Sequence, residues 1–123
     1  MTTTAARKRP TKVDPDAFRP DPHAGYARYR PVSGVLEIGG GTGANLRFYP
    51  DDVAVTVVEP NPHMAKVLRR RAERLGRQVD IVAERGEELS FPDGTFDTVV
   101  TTLVLCTVTD MERVIREARR VLK

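Results

Sequence analysis

The sequence predicts an α/β domain, an open parallel sheet with helices packed against it, and three observations carry that prediction. Val35-Leu36-Glu37-Ile38 is an apolar run with one acidic residue, and it ends in a turn bearing Gly39, Gly40, Gly41 and Gly43. Val53 to Val58 is a second run, rich in β-branched residues and continuous, as a parallel strand covered on both faces should be. Strand-like runs then alternate with stretches of helical period, and such alternation implies parallel strands joined by crossovers.

The elements follow in order. Val32 to Ile38 is the first strand, and Thr42 to Tyr49 is expected as a short helix opening at the glycine turn. Pro50-Asp51-Asp52 is a loop, and Val53 to Glu59 is the second strand. Pro60-Asn61-Pro62 starts the next helix, since proline suits the first helical turn. That helix runs to about Leu75, with Met64, Val67, Leu68 and Leu75 inward and Arg69, Arg70, Arg71 and Arg74 mostly outward. Gly76 is a plausible stop. Val79 to Ala83 is the third strand, Glu84 to Leu89 a loop, and Pro92-Asp93-Gly94 a turn. Phe96 to Val104 is the fourth strand. Asp110 caps a last helix to Leu122, whose buried stripe is Met111, Val114, Ile115, Ala118 and Val121.

Charge separates the chain into two parts. Residues 1–31 carry seven of the twenty Lys/Arg and three of the seventeen Asp/Glu, and five of the nine prolines. This composition reads as a basic leader, disordered or loosely folded. Phe18, Tyr26 and Tyr29 are the leader residues able to fold over a pocket. Residues 32–123 are close to neutral, which argues against a nucleic-acid surface on the domain. Cys106 is the single cysteine, so no internal disulfide and no cysteine-built metal site is expected. His23 and His63 are too scattered to suggest metal ligands. No apolar run approaches the roughly 18 residues of a membrane span, and no secretory signal opens the chain. Cytoplasmic location is the default.

The glycine turn and the second strand together describe a ligand pocket. Glycines permit positive φ and let a ligand approach bare backbone. Glu59 ends the second strand about 20 residues after the first glycine, where a carboxylate can hydrogen-bond ribose hydroxyls. Gly39-x-Gly41-x-x-Ala44 also satisfies the dinucleotide fingerprint. Glu37, two residues before the first glycine, would repel a pyrophosphate and suit an ammonium or sulfonium group.

The arrangement Glu37-x-Gly39-x-Gly41-x-Gly43 resembles the first motif of class I S-adenosylmethionine-dependent methyltransferases. The resemblance extends to Phe91-Pro92-Asp93-Gly94-Thr95-Phe96-Asp97, to Leu103-Val104-Leu105-Cys106-Thr107-Val108 and to Arg119-Arg120-Val121-Leu122-Lys123. Asn45, Phe48-Tyr49-Pro50 and Val104 to Cys106 are most similar to the branch that methylates small thiols. The resemblance implies a Rossmann-like fold, S-adenosylmethionine as cofactor and a small-molecule acceptor. By the same resemblance, Glu37 and the turn from Gly39 through Gly41 to Gly43 hold the amino-acid end of the cofactor. Glu59 binds the ribose, Asn61 sits near the adenosine, Gly86 and Glu87 lie beside the adenine, and Thr102 and Leu103 lie under the methionine portion. Glu87 also reads as a solvated loop charge, Thr102 as a plain strand residue, and Cys106 as a small buried apolar residue. No catalytic residue is identified.

The departures from the family pattern set further expectations. A Pro-Gly-Gly turn and a fifth strand usually follow the last matched helix, and the sequence given stops at Lys123. The reading is therefore a partial domain of about four strands in order 3-2-1-4, a fragment or truncated product. Its fourth strand would be an unpaired edge open to self-association. Three functions stand side by side: a methyltransferase, an inactive cofactor-binding remnant or partner-completed subunit, and a nicotinamide-dinucleotide oxidoreductase fragment.

Overall fold

The computed structural model describes residues 34–123. The expectations for the leader, and for Val32 at the start of the first strand, lie outside the described residues. The elements are β1 (Gly34–Ile38), a 3-10 turn (Leu46–Phe48), β2 (Ala54–Val58), α1 (Pro62–Arg74), β3 (Val79–Val82), β4 (Thr98–Thr101) and α2 (Met111–Val121). The four strands form one parallel sheet in the order β3-β2-β1-β4. In register, Glu37 stands between Val57 of β2 and Val100 of β4.

The two-residue period of the strands divides the core. Leu36 and Ile38 of β1 meet Val114 and Val121 of α2, together with Val58, Leu89 and Phe96. On the other side Val55 and Val57 of β2 meet Leu46 and the α1 residues Leu68 and Ala72. Alternate side chains of a strand point to opposite faces, so each helix is held by its own set. Glu37, flanked in sequence by Leu36 and Ile38, therefore faces away from α2.

Both helices begin on side-chain caps. Asn61 Oδ1 accepts from the backbone N–H groups of His63 and Met64, and Asp110 Oδ1 accepts from Arg113 N. Gly76 takes φ +63° and ends α1.

Four expectations are corrected. The helix expected over Thr42 to Tyr49 is only a 3-10 turn, because Gly41 and Gly43 take φ of +54° and +78°, values an α-helix does not contain. The fourth strand is Thr98–Thr101 rather than Phe96 to Val104, because the chain bends at Thr102 and Leu103 takes φ +54°. The inward stripe of α1 reduces to Leu68 and Ala72, one turn apart, while Met64, Val67 and Leu75 are exposed. Val67 precedes Leu68 by one residue and so points about 100° away from the sheet. Likewise α2 buries Val114 and Val121 with Ala118 half-buried, whereas Met111 and Ile115 stand exposed on its flank.

β4 is an edge strand, with β1 on its inner side. Beyond β4 the chain gains one further parallel contact. Phe96 N donates to Val121 O and Lys123 N donates to Phe96 O. Lys123 Nζ also reaches Asp97, whose Oδ2 accepts from Gly34 N.

The loop before β4 is tied to α2 by one guanidinium. Arg120 donates to Glu117, to Asp93 and to the carbonyls of Phe91 and Leu89. Glu117 in turn accepts from Leu89 N. The Arg120 hydrogen bonds hold the Glu117 carboxyl down at about 2, against an ordinary value of 4.5, although partial burial opposes this. A depressed carboxylate stabilises the fold above its unfolded value and loses that contribution as pH falls toward its folded value. Stability is therefore expected to drop between about pH 4.5 and 2, and Glu117→Gln is expected to flatten that part of the profile. Urea midpoints measured across the range check it, and an equally steep fall in the variant contradicts it.

Candidate functional site

A cleft of about 600 Å³ opens where β1, β2 and β4 end. Open parallel sheets bind their ligands at the carboxyl ends of the strands, because the loops that leave there diverge. Four such loops line this cleft: the glycine loop from Gly39 to Asn45 after β1, Glu59 to Asn61 after β2, Arg85 to Glu87 after β3, and Thr102 to Val104 after β4.

The glycine loop is fixed from beneath by β2. Gly39 N and Gly40 N both donate to Val58 O. Glu59 completes the hold, with Oε2 accepting from Gly41 N and Oε1 accepting from Asn61 N, each at 2.8 Å. The Glu59 carboxylate thus ties the glycine loop to the start of α1 while it is itself 7% exposed. Each carboxylate oxygen has a second acceptor direction left for another donor.

Glycine is required where the loop meets its neighbours. A Cβ on Gly39, at φ +72°, would lie 2.1 Å from Val104 Cγ2, and one on Gly40 would lie 2.1 Å from Val57 Cγ1. Gly41 differs, since a Cβ there would meet nothing within 4 Å, so its side faces open space in the cleft.

Glu37 lies deeper, 2% exposed. Asn45 Nδ2 donates to its Oε1 at 2.7 Å and Tyr49 Oη donates to its Oε2 at 3.0 Å. Burial pushes the Glu37 carboxyl above its ordinary value, and these two hydrogen bonds pull it partly back. Asn45 Nδ2 also donates to Thr102 Oγ1 at 3.0 Å, joining the β1 loop to the β4 loop. Burial, and then the Glu37 carboxylate beside it, hold the Tyr49 hydroxyl well above the usual phenol value.

The structure brings Glu37, Gly39, Gly41, Glu59, Asn61, Gly86, Glu87, Thr102 and Leu103 to the wall of this one cleft. Gly43 is the exception. It is buried behind the loop, where a Cβ would lie 3.1 Å from both Leu46 and Leu68, so it serves the packing of α1. Gly86 also has a packing reason, since a Cβ there would lie 2.7 Å from Ile38 Cγ2. Glu87 is not simply solvated: its Oε1 accepts from Thr109 N at 2.9 Å, two residues before α2 begins. Cys106 is exposed rather than buried, and its thiol donates to Leu103 O at 3.4 Å. Asn45, Tyr49 and Val104 were singled out from the sequence only as marks of one branch, not as site-forming. They lie on irregular segments with no period to betray them.

The cleft favours a cationic ligand. Glu37, Glu59 and Glu87 line it, against Arg85 as the one cation among the described lining residues. Its mouth is apolar, with Met64, Leu103, Val104 and Val108. Leu103 is 89% exposed, in a left-handed conformation that costs a leucine about 1–2 kcal/mol.

The comparisons with known proteins agree on one family. A family model described as a methyltransferase domain matches residues 36–123. The chain is 46% identical over 92 residues to the human thiol S-methyltransferase TMT1B, an alignment covering 72% of this chain and 38% of that protein. It is 40% identical over 94 residues to a phosphatidylethanolamine N-methyltransferase of Cereibacter sphaeroides, covering 71% of this chain and 44% of that one. Among solved structures, the YcgJ protein of Bacillus subtilis superposes with a TM-score of 0.71 at 29% identity, over 76% of this chain and 41% of that one. A protein of Thermotoga maritima described as an S-adenosylmethionine-dependent methyltransferase superposes with a TM-score of 0.60 at 32% identity, over 79% of this chain and 42% of that one. The chain thus spans less than half the length of each of these four relatives.

The close fit of Gly39 against Val104 gives a direct test of the loop. Gly39→Ala adds a methyl group where there is no space and penalises a positive φ, at an expected cost of about 2 kcal/mol or more. Urea unfolding followed by circular dichroism reads this, and an unchanged midpoint contradicts the placement of the loop.

Proposed function

The chain belongs to the class I S-adenosylmethionine-dependent methyltransferase superfamily, and from that premise we propose that residues 32–123 bind S-adenosylmethionine in this cleft and serve methyl transfer to a small molecule. The observation that carries the reading is the pair of buried carboxylates, Glu37 and Glu59, at the ends of adjacent strands on either side of a glycine loop. One suits the ammonium of an amino acid and the other the hydroxyls of a ribose. The residues present therefore fit an adenosyl amino acid, and they fit a pyrophosphate poorly. When bound, S-adenosylmethionine would supply an electrophilic methyl group on a sulfonium centre.

The roles follow from position. Glu59 accepts from the ribose hydroxyls while it keeps Gly41 N and Asn61 N in place. Glu37 takes the ammonium. The open side of Gly41 admits the ligand to the backbone, while Asn61, Gly86 and Glu87 border the adenosine. Thr102 and Leu103 border the methionine arm and the mouth. The main contribution to rate is proximity, since holding an acceptor in line with the methyl group converts a bimolecular encounter into a unimolecular one. An apolar mouth strips water from the acceptor, and a thiol needs little help once ionised. A small thiol is the proposed first acceptor, in keeping with the printed names of the most similar relatives. No helix among the described residues is long and apolar enough to cross a membrane, and the single cysteine suits the cytoplasmic placement proposed with this function.

One observation favours a second reading, a subunit completed by association. Outside the contact at Phe96, the outer edge of β4 has no strand beside it among the described residues. Open edges invite pairing with another chain. The proposed consequence is self-association along β4, and a mass by sedimentation that stays at one chain over a hundredfold range of concentration contradicts it.

The binding reading has a sharper test. A carboxylate contact to ribose hydroxyls is charge-assisted, worth roughly 1.5–3 kcal/mol. Glu59→Ala is expected to weaken S-adenosylmethionine and S-adenosylhomocysteine more than about tenfold, and the unaltered chain is expected to prefer both over NAD(H). Calorimetry measures each, and equal affinities before and after the substitution sink the assignment.

A further inference from the structure

The buried Glu37 carboxylate is supported by two residues that the sequence marked only as features of one branch, Asn45 and Tyr49. Asn45 and Tyr49 each give it one hydrogen bond, and together they occupy one acceptor direction on each oxygen. Neither residue lies in a strand or helix. Both flank the 3-10 turn Leu46–Phe48, and that turn is itself anchored at two points. Leu46 is fully buried beside Leu68. At the other end Arg77, just beyond α1, donates to Tyr49 O and, at 2.7 Å, to Pro50 O. The Arg77 side chain is only 9% exposed, so the clamp closes from within the fold. The line Arg77, Tyr49, Glu37 runs from the end of α1 to the floor of the cleft. A second line, Thr102, Asn45, Glu37, runs in from the loop after β4.

Resting on the reading given under Proposed function, we propose that Tyr49 and Asn45 are positioning residues that aim the Glu37 carboxylate at the ammonium group of the cofactor's amino-acid arm. A buried carboxylate with no donors would take up a proton and lose its attraction for a cation. The two donors favour the charged form of Glu37 against its burial and fix its rotamer, while leaving an acceptor direction on each oxygen for the ligand. Tyr49 suits this role because burial and the neighbouring Glu37 carboxylate hold its hydroxyl well above the usual phenol value, so that it serves as a donor. Asn45 suits it because the same amide nitrogen donates to both Glu37 and Thr102, which ties the carboxylate to the loop after β4.

Two ligands that differ only in the arm separate this proposal from a purely structural role. S-adenosylhomocysteine carries the amino-acid arm, and 5′-methylthioadenosine has the same nucleoside and sulfur without it. Calorimetric titration of the full chain with each is expected to show that Tyr49→Phe weakens S-adenosylhomocysteine about tenfold and leaves 5′-methylthioadenosine unchanged. The pH profile adds a second readout. Removing a donor lifts the Glu37 carboxyl further, so the loss of S-adenosylhomocysteine affinity on acidification should begin at higher pH in Tyr49→Phe than in the unaltered chain. Asn45→Ala should behave in the same way, and it decides the matter if Tyr49→Phe does not fold. Equal weakening of both ligands, or no weakening of either, overturns the proposal and leaves the functional reading standing. Failure of the unaltered chain to bind S-adenosylhomocysteine overturns that functional reading and this proposal with it.

Discussion

A carboxylate buried at the end of a central strand is the constraint to which the rest of this molecule answers. Glu37 lies between β2 and β4 with its side chain out of water. Taking a charge out of solvent is costly unless hydrogen-bond donors surround it. The fold provides those donors from the segment around the 3-10 turn, which Leu46 also anchors in the core. Asn45 and Tyr49 can reach Glu37 only because Leu46 seats the turn in the core and Arg77 closes its far end. The polar floor of the cleft and the apolar packing of α1 are therefore one structure.

The same logic explains why Glu59 has two tasks. Its carboxylate holds the glycine loop through Gly41 and the start of α1 through Asn61. A loop with three glycines at positive φ is poorly determined by its own preferences, because glycine gives up the most conformational freedom on ordering. Charge-assisted bonds from a strand end, with the carbonyl of Val58, supply the order the glycines lack. The bare backbone that faces the cleft is thus held in place by Glu59, the residue proposed above to bind the ribose.

Around this floor the sheet is asymmetric. On one side β2 and β3 continue it beneath α1, and on the other β4 is joined by a single bridge at Phe96. The loop leaving β4 carries the strain at Leu103 and the exposed apolar mouth. The rigid half of the cleft is the half that faces the nucleoside end of the cofactor in the proposed function. The other half, around the loop leaving β4, is built from bends and short turns.

The sequence by itself determined the order of strands and helices, the acidic tips of β1 and β2, and the glycine turn between them. These follow from local rules: β-branched runs for covered strands, a side-chain cap at Asn61 and Asp110, a glycine at the end of α1. Local rules stop at Gly43, whose positive φ forbids the helix that the residues from Thr42 to Tyr49 would otherwise suit, and at Leu103, where the fourth strand ends early. They also overstate the buried stripes of both helices, because the sheet accepts only the line of side chains facing it. What the tertiary structure alone decided is which residues serve Glu37 and which glycine faces the cleft. Asn45 and Tyr49 are brought to that carboxylate, and Arg77 to the carbonyls of Tyr49 and Pro50, by packing over separations that no sequence period spans. Gly41 and Gly43 look alike in the motif, yet one opens to the cleft and the other lies against Leu46 and Leu68. The physical reason is that a motif records backbone freedom, whereas burial depends on what the rest of the chain places on each side of it.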